Sequence, residues 1–218
     1  MTMMVKSVAI GVHLLREDIE PLAAAVPVAD LFVSALAVDD DQPLGDRELL
    51  LRVAEIRAGL LQRATFVAIR YGFAFRSPAE AEAKVASFVT RWKPLLVENR
   101  SRVEMTLKVA AAQWRERPDR HQFQSGAGYL RALQEAKSAA SIDPQFRAEV
   151  EERIVPLCVR HQWIVRDNTS LELAGLIERE SLSAVTAAGE ALKEACPSVP
   201  FLLSAPWPLE VFANADHE

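Results

Sequence analysis

Few residues in this sequence have the types and the spacing that a catalytic or metal site requires. Cys158 and His161 are three positions apart, but a zinc site needs a second pair of ligands at a suitable spacing, and none is obvious. Gly126-Ala127-Gly128 follows a polar stretch rather than a strand and lacks the third glycine of a dinucleotide fingerprint. The four histidines have no partner whose spacing suggests nucleophilic catalysis. We therefore expect no catalytic residues, no metal and no cofactor.

The residues that we single out are suited to binding a partner. Pro206 and Pro208 restrict the backbone on both sides of Trp207 and so hold the indole in one direction. Two roles stay open for this indole: it closes one end of a core, or it contacts a partner. Arg70 and Tyr71, which precede a glycine, have the same alternatives, since an arginine at a sheet end and a tyrosine in a core are both common.

Residues 101–110 have the clearest strand pattern in the chain, because apolar residues alternate with polar ones. The polar face carries Glu104 and Lys108, four positions apart. We expect this face to be exposed to solvent or to meet a polar partner. Alternation of this kind also indicates antiparallel pairing, since parallel strands tend to be apolar on both faces.

Composition limits the classes of protein that are possible. The chain has 218 residues, of which 50% are hydrophobic and 25% charged, so one large or two small globular domains are expected. A net charge of −5 argues against a sequence-independent nucleic-acid binder. Two cysteines do not make a disulfide framework and favour a reduced cytoplasmic compartment. No run is long enough for a signal peptide or a membrane span.

Strands and helices are mixed without regular alternation, which predicts the α+β class. Strands are predicted at residues 5–14, 30–38, 65–69, 73–75, 101–110, 163–165, 171–177 and 199–204, the last ending before the prolines. Helices are predicted at residues 46–63, 78–93, 128–140, 144–155 and 181–195, with 16–27 as a connector and 113–124 as a polar segment. Pro94 should end or kink the second helix.

The second half has the order of a ferredoxin-like layer, β-α-β-β-α-β, with one helix doubled. We therefore divide the chain into an N-terminal α+β domain, residues 1–99, and a C-terminal ferredoxin-like domain, residues 100–218.

Four segments together resemble the GvpL/GvpF family of gas vesicle proteins. Residues 67–72, Val-Ala-Ile-Arg-Tyr-Gly, are similar to the family's Leu-Pro-Leu-Arg-Phe-Gly, and residues 103–109 to its Val-Glu-Trp/Met-x-x-Lys-Val strand. Residues 126–130 are similar to its Gly-x-x-Tyr-Leu helix start. Residues 205–212, Ala-Pro-Trp-Pro-Leu-Glu-Val-Phe, are similar to its Gly-Pro-Trp-Pro-Pro-Tyr-Ser-Phe signature, with changes at positions 205 and 209–211.

This resemblance implies a cytoplasmic, non-enzymatic protein of two α+β domains, the C-terminal one a modified ferredoxin-like fold. It implies a role in gas vesicle assembly, as an accessory or minor shell-associated protein. The implied partners are the small hydrophobic shell protein and other accessory proteins of the vesicle, with no nucleic acid.

Two other functions stay open. The changed residues around the Pro-Trp-Pro sequence are also compatible with an interaction module of the same fold that has no vesicle role. A small-molecule regulator or enzyme is the third possibility, because ferredoxin-like domains have many functions.

Overall fold

The computed structural model describes residues 5–110, 119–138, 142–167 and 170–214. Its strands are β1 (Val5–His13), β2 (Ala24–Val28), β3 (Leu31–Asp39), β4 (Val67–Ala68), β5 (Ala74–Phe75), β6 (Arg102–Ala110), β7 (Cys158–Asp167), β8 (Ser170–Glu178) and β9 (Phe201–Trp207). Its α-helices are α1 (Arg47–Arg63), α2 (Pro78–Glu98), α3 (Gly126–Ser138), α4 (Pro144–Arg153), α5 (Leu182–Ala195) and α6 (Val211–Asn214). The α+β class is confirmed.

The chain forms two compact units. The first contains residues up to Val103 together with the residues from Trp207 onward, and the second contains Glu104–Pro206. The predicted domains, 1–99 and 100–218, differ from these units mainly at the C-terminus, where the residues after Pro206 return to the first unit. The polar segment predicted at 113–124 lies partly outside the described residues.

The first unit is built on an antiparallel sheet with the order β2-β3-β1-β4, in which β5 also pairs with β1. Because β3 lies between β2 and β1, it is an inner strand of this sheet. Apolar residues of β1 and α1, among them Ile10, Leu49 and Leu60, form a buried core cluster with Phe66. This core holds β4 and the segment that follows it, which carries two of the predicted site residues.

Strand β2 was predicted to be a connector because it contains Pro27. It lies at the edge of the sheet, where a proline can point its missing donor away from the only neighbouring strand. The connector prediction is therefore wrong for this part of residues 16–27.

Helix α2 begins as predicted but does not end at Pro94. The Ser77 hydroxyl accepts from the Glu80 backbone N–H at 3.2 Å, and Pro78 occupies the first turn. The helix continues through Pro94 to Glu98. Trp92 and Leu96, one turn apart on either side of the proline, are both buried, and their packing offsets the hydrogen bond that Pro94 removes.

The second unit contains a sheet with the order β7-β8-β6-β9. Its first strand therefore lies between the third and the fourth, which is the arrangement of a ferredoxin-like layer and agrees with the expectation from the sequence. Helix α4 begins at the predicted cap, where the Asp143 carboxylate accepts from the Phe146 N–H at 2.9 Å. Strand β7 is longer than the predicted 163–165, because its pairing with β8 extends from Cys158 to Asp167.

Strand β9 does not end before the prolines, as was expected, but continues through Pro206 to Trp207. It is an edge strand of its sheet. A proline is tolerated there, because only one side of an edge strand pairs with a neighbour.

Candidate partner-binding site

Residues 69–73 form a turn after β4 that carries two predicted site residues, Arg70 and Tyr71. Gly72 has φ of +96°, a conformation that side-chain-bearing residues rarely adopt. The Tyr71 hydroxyl donates to the Leu44 carbonyl oxygen at 2.5 Å, which fixes the ring. Burial, and then the negative charge of Asp46, raise the pKa of Tyr71. Arg70 is exposed, so this turn positions a tyrosine while leaving a cation available.

The chain after the Pro-Trp-Pro sequence is anchored on β4. The Leu209 N–H donates to the Phe66 carbonyl at 2.8 Å, and the Ala68 N–H donates to the Leu209 carbonyl at 3.1 Å. Leu209 forms an isolated parallel bridge with Val67, and its side chain is fully buried. The backbone around Leu209 therefore extends the first unit.

Helix α2 holds the short helix α6. The Arg91 guanidinium donates through Nη2 to the Ala213 carbonyl and, at 3.1 Å, to the Asn214 side-chain oxygen. Asn214 in turn donates to the Glu210 carbonyl at 2.7 Å. These bonds fix the Asn214 side chain and the backbone of Glu210 relative to α2.

Three segments of the first unit, α2, the turn after β4 and residues 210–214, enclose a groove of about 590 Å³. We call it the α2 groove. Phe88 and Trp92 stack on one another along its helical side, with ring centroids 4.8 Å apart and planes at 14°. Phe88 is 39% exposed, whereas Trp92 is only 8% exposed. The groove therefore offers an aromatic surface with one accessible ring.

The charged residues of the α2 groove differ in how well they are paired. Arg57 donates through Nη2 to the Ile69 carbonyl at 3.0 Å and more weakly to the Ile10 carbonyl at 3.4 Å. Burial lowers the pKa of Arg57, while Glu210 acts in the opposite direction. Lys84 is paired with Glu80, at 2.9 Å. Because Lys84 is already paired, the charged groups that an occupant of the groove would meet are Arg57, Arg70 and Glu210.

Two buried donors of this groove have no acceptor among the described residues. They are Arg57 Nε and Trp92 Nε1. A buried donor without a partner costs about 1–3 kcal/mol, so native proteins rarely leave one. This is the chemical feature by which the α2 groove differs from an ordinary surface depression.

The structure brings together some of the predicted site residues and not others. Arg70 and Tyr71 line the α2 groove with Glu210, which belongs to the C-terminal signature. Trp207 is 41% exposed and is not among the residues that line the groove. Pro206 is half-buried and Pro208 is buried. Leu209 and not the indole is fully buried, which favours the contact role of Trp207 over the role of closing a core.

Glu104 and Lys108 lie on β6, and only one of them is exposed. Glu104 is 1% exposed, so exposure to solvent is wrong at this position, while the alternative of a polar partner stays a prediction. The four large apolar residues of β6 are all buried, whereas on the polar face only Glu104 is buried and the burial ends before Lys108. Lys108 is exposed, with Nζ 3.9 Å from the Oε2 atom of the buried Glu172.

The sequence did not single out Arg57, Phe88 or Trp92 as site residues. The spacing of four between the two aromatic residues places them on one helix face, which is the only signal that could have paired them. Whether that face is covered depends on residues 68–73 and 210–214, which lie far away in the chain.

Among the described residues, no group of three or more His, Cys, Asp or Glu side chains could hold a metal ion. Burial raises the pKa of the Cys158 thiol to about 11, which disfavours the thiolate that would bind zinc. No helix within the described ranges has the length and the apolar character needed to cross a membrane.

The fold matches two solved structures of gas vesicle proteins. GvpF from Anabaena sp. PCC7120 superposes with a TM-score of 0.68 at 12% identity, covering 98% of both chains. GvpF from Microcystis aeruginosa superposes with a TM-score of 0.65 at 12% identity, covering 96% of this chain and 99% of that one. At this identity the likeness shows the fold. No curated protein matches the sequence.

The sequence itself matches the family described as gas vesicle synthesis protein GvpL/GvpF over residues 20–213. That range includes the turn after β4, strand β6 and the C-terminal signature. The protein therefore belongs to the GvpL/GvpF family and is a gas vesicle-related protein.

Proposed function

We propose that this protein acts in gas vesicle assembly by binding other proteins, as a non-enzymatic accessory or minor shell-associated component. Its partners are the small hydrophobic shell protein and other vesicle accessory proteins, and its place is in the cytoplasm in association with vesicles. The α2 groove is the observation that carries the proposal. It joins two segments similar to family motifs, the turn with Arg70 and Tyr71 and the residues after the Pro-Trp-Pro sequence, around an exposed aromatic ring.

The predicted contact residues take unequal parts in this proposal. Arg70 and Tyr71 contribute from the groove. Trp207, held between Pro206 and Pro208, contributes an exposed indole, and aromatic residues of this kind are frequent in the centres of interfaces. Lys108 contributes an exposed cation of the second unit, whereas Glu104 is buried.

The experiment combines genetics with binding. Deletion of the gene in its host should reduce or abolish vesicles seen by electron microscopy, and the tagged protein should recover the shell protein from lysate. Normal vesicles after deletion would contradict the proposed role.

One observation favours a second candidate, an interaction module without a vesicle role. Glu210 lies in the groove at the position where the family signature has tyrosine. A carboxylate there changes which partner the groove accepts. A host genome that contains no shell-protein gene would favour this candidate.

A further inference from the structure

We infer that the α2 groove binds a short apolar peptide segment that carries a carboxylate, supplied by a partner protein. The inference rests on the proposed function, since it names the surface through which that binding occurs. The occupant is defined by the chemistry of the groove and not by the name of a protein.

The apolar part of this preference comes from the stacked pair on α2. Phe88, which is 39% exposed, presents the outer ring, and Val85 lines the same side of the groove. An aliphatic or aromatic side chain laid on this ring gains burial of apolar surface at about 25 cal/mol per Å². An exposed ring at the rim of a concave site is a common anchor point for a partner side chain.

The preference for a carboxylate comes from charge. Two guanidinium groups, Arg57 and Arg70, line the groove, and Glu210 is the anion that lines it with them. The charge of Lys84 is balanced by the Glu80 carboxylate, 2.9 Å away, and Lys84 also donates to the Ala74 carbonyl at 2.8 Å. One positive charge is therefore left over, and it is complementary to a single acidic side chain.

The two buried donors strengthen the same preference. Arg57 Nε and Trp92 Nε1 have no acceptor among the described residues, and solvent does not reach them. Trp92 lines the groove, so a carbonyl or carboxylate oxygen of the occupant that reaches Nε1 would accept a hydrogen bond from it. Binding then satisfies a donor that the empty groove leaves unpaired, which is favourable because the cost of desolvating the donor is already present in the free protein.

The test uses the full-length protein labelled with ¹⁵N and three soluble probe peptides. The probes are acetyl-Ala-Leu-Glu-Leu-Ala-amide and the same peptide with Gln or Lys in place of Glu. The protein has four tryptophans, and a Trp92→Phe variant identifies the indole N–H signal of Trp92 as the one that disappears. We expect the Glu peptide to move this signal downfield while the Trp163 signal, from the second unit, stays in place.

Affinity for the Glu peptide should exceed that for the Lys peptide by about fivefold, as for a partly exposed ion pair. Replacement of Arg70 by Glu should reverse this order. The matched control is Arg131→Glu, since Arg131 is an exposed residue of α3 in the second unit, and it should leave the order unchanged. Far-UV circular dichroism checks that both variants fold.

The outcomes separate this inference from the proposed function. An unmoved Trp92 signal at millimolar peptide, or equal affinity for the Glu and Lys peptides, would overturn the groove assignment. Recovery of the shell protein by wild type and equally by Arg70→Glu would also overturn it, while leaving the vesicle role intact. Peptide selectivity without recovery of the shell protein would support the groove and count against the vesicle role.

Discussion

A fall in pH should destabilise this protein through one buried side chain, His13. The imidazole is fully buried on β1 and stacks on Phe66, with ring centroids 4.8 Å apart. The Ser34 hydroxyl donates to the Gly11 carbonyl at 3.2 Å, so its oxygen accepts from His13 Nε2, 2.9 Å away. This assigns the proton to Nε2 and leaves Nδ1 buried with no hydrogen-bond partner among the described residues. A second proton on Nδ1 would place an unpaired charge in the core.

The magnitude follows from the linkage between protonation and folding. Burial lowers the pKa of His13 from 6.5 to about 3. Between these values the unfolded chain binds a proton that the folded chain does not, so stability is complete above pH 6.5 and is lost progressively as the pH falls towards 3. Going from about pH 7.5 to about pH 5 should cost ~2 kcal/mol of unfolding free energy through this residue.

Urea unfolding followed by circular dichroism at the two pH values measures the loss. Carboxylates titrate in the same range, so the informative quantity is a difference between proteins. His13→Gln retains a donor towards Ser34 but cannot be protonated. Whatever its stability at pH 7.5, its loss on acidification should be smaller than that of the wild type by about 2 kcal/mol.

Equal losses in the wild type and in His13→Gln would refute this reasoning. So would a direct titration of the folded protein by NMR that places the imidazole pKa near 6.5. Either result would mean that solvent or an acceptor reaches Nδ1.

Three further predictions concern packing, and two of them include a control substitution. Leu209→Ala should lower the unfolding free energy by about 2–5 kcal/mol, because the Leu209 side chain is fully buried. The control is Leu202→Ala, at a position that is 61% exposed. In the same urea titration it should change the unfolding free energy by about 0.5 kcal/mol or less. Trp207→Ala should cost much less than Leu209→Ala and should reduce recovery of the shell protein; a loss of stability equal to that of Leu209→Ala would restore a core role for the indole. Gly175→Ala should destabilise by about 1–3 kcal/mol, because the new Cβ would lie 2.6 Å from the Cys158 Sγ atom. Adding Cys158→Ala to Gly175→Ala should recover part of the lost unfolding free energy. A double variant that is as unstable as Gly175→Ala alone would show that the thiol does not obstruct the new Cβ.

Sequence patterns within a few residues were sufficient to predict most helices and strands. The helix beginning at Pro78 follows from the Ser77 cap, and the one beginning at Pro144 follows from Asp143, because each cap satisfies a backbone N–H within three residues. The alternation along residues 101–110 was sufficient to predict β6. The order of strands and helices in the second half was sufficient to predict the ferredoxin-like layer. Four short segments were sufficient to identify the family.

The site was predictable only in part. Arg70 and Tyr71 could be singled out, since they precede a glycine whose positive φ makes the turn. Arg57 could not, because its position in the groove depends on carbonyl groups of β1 and of residue 69. The burial of Glu104 was also outside the reach of a local pattern, because the alternation along β6 is the same at Glu104 and Lys108 and only the first of them is buried.

The residues near the C-terminus show where the limit lies. The rigidity of the Pro-Trp-Pro sequence is a property of the residues themselves, because proline restricts φ in any surroundings. The residues of that stretch do not by themselves determine which of them is buried. Strand β4, about 140 positions earlier in the chain, binds the backbone of Leu209 and buries its side chain, while Trp207 stays exposed. Conformation within a few residues was decided locally, whereas burial, and with it the surface available to a partner, was decided by contacts between distant segments.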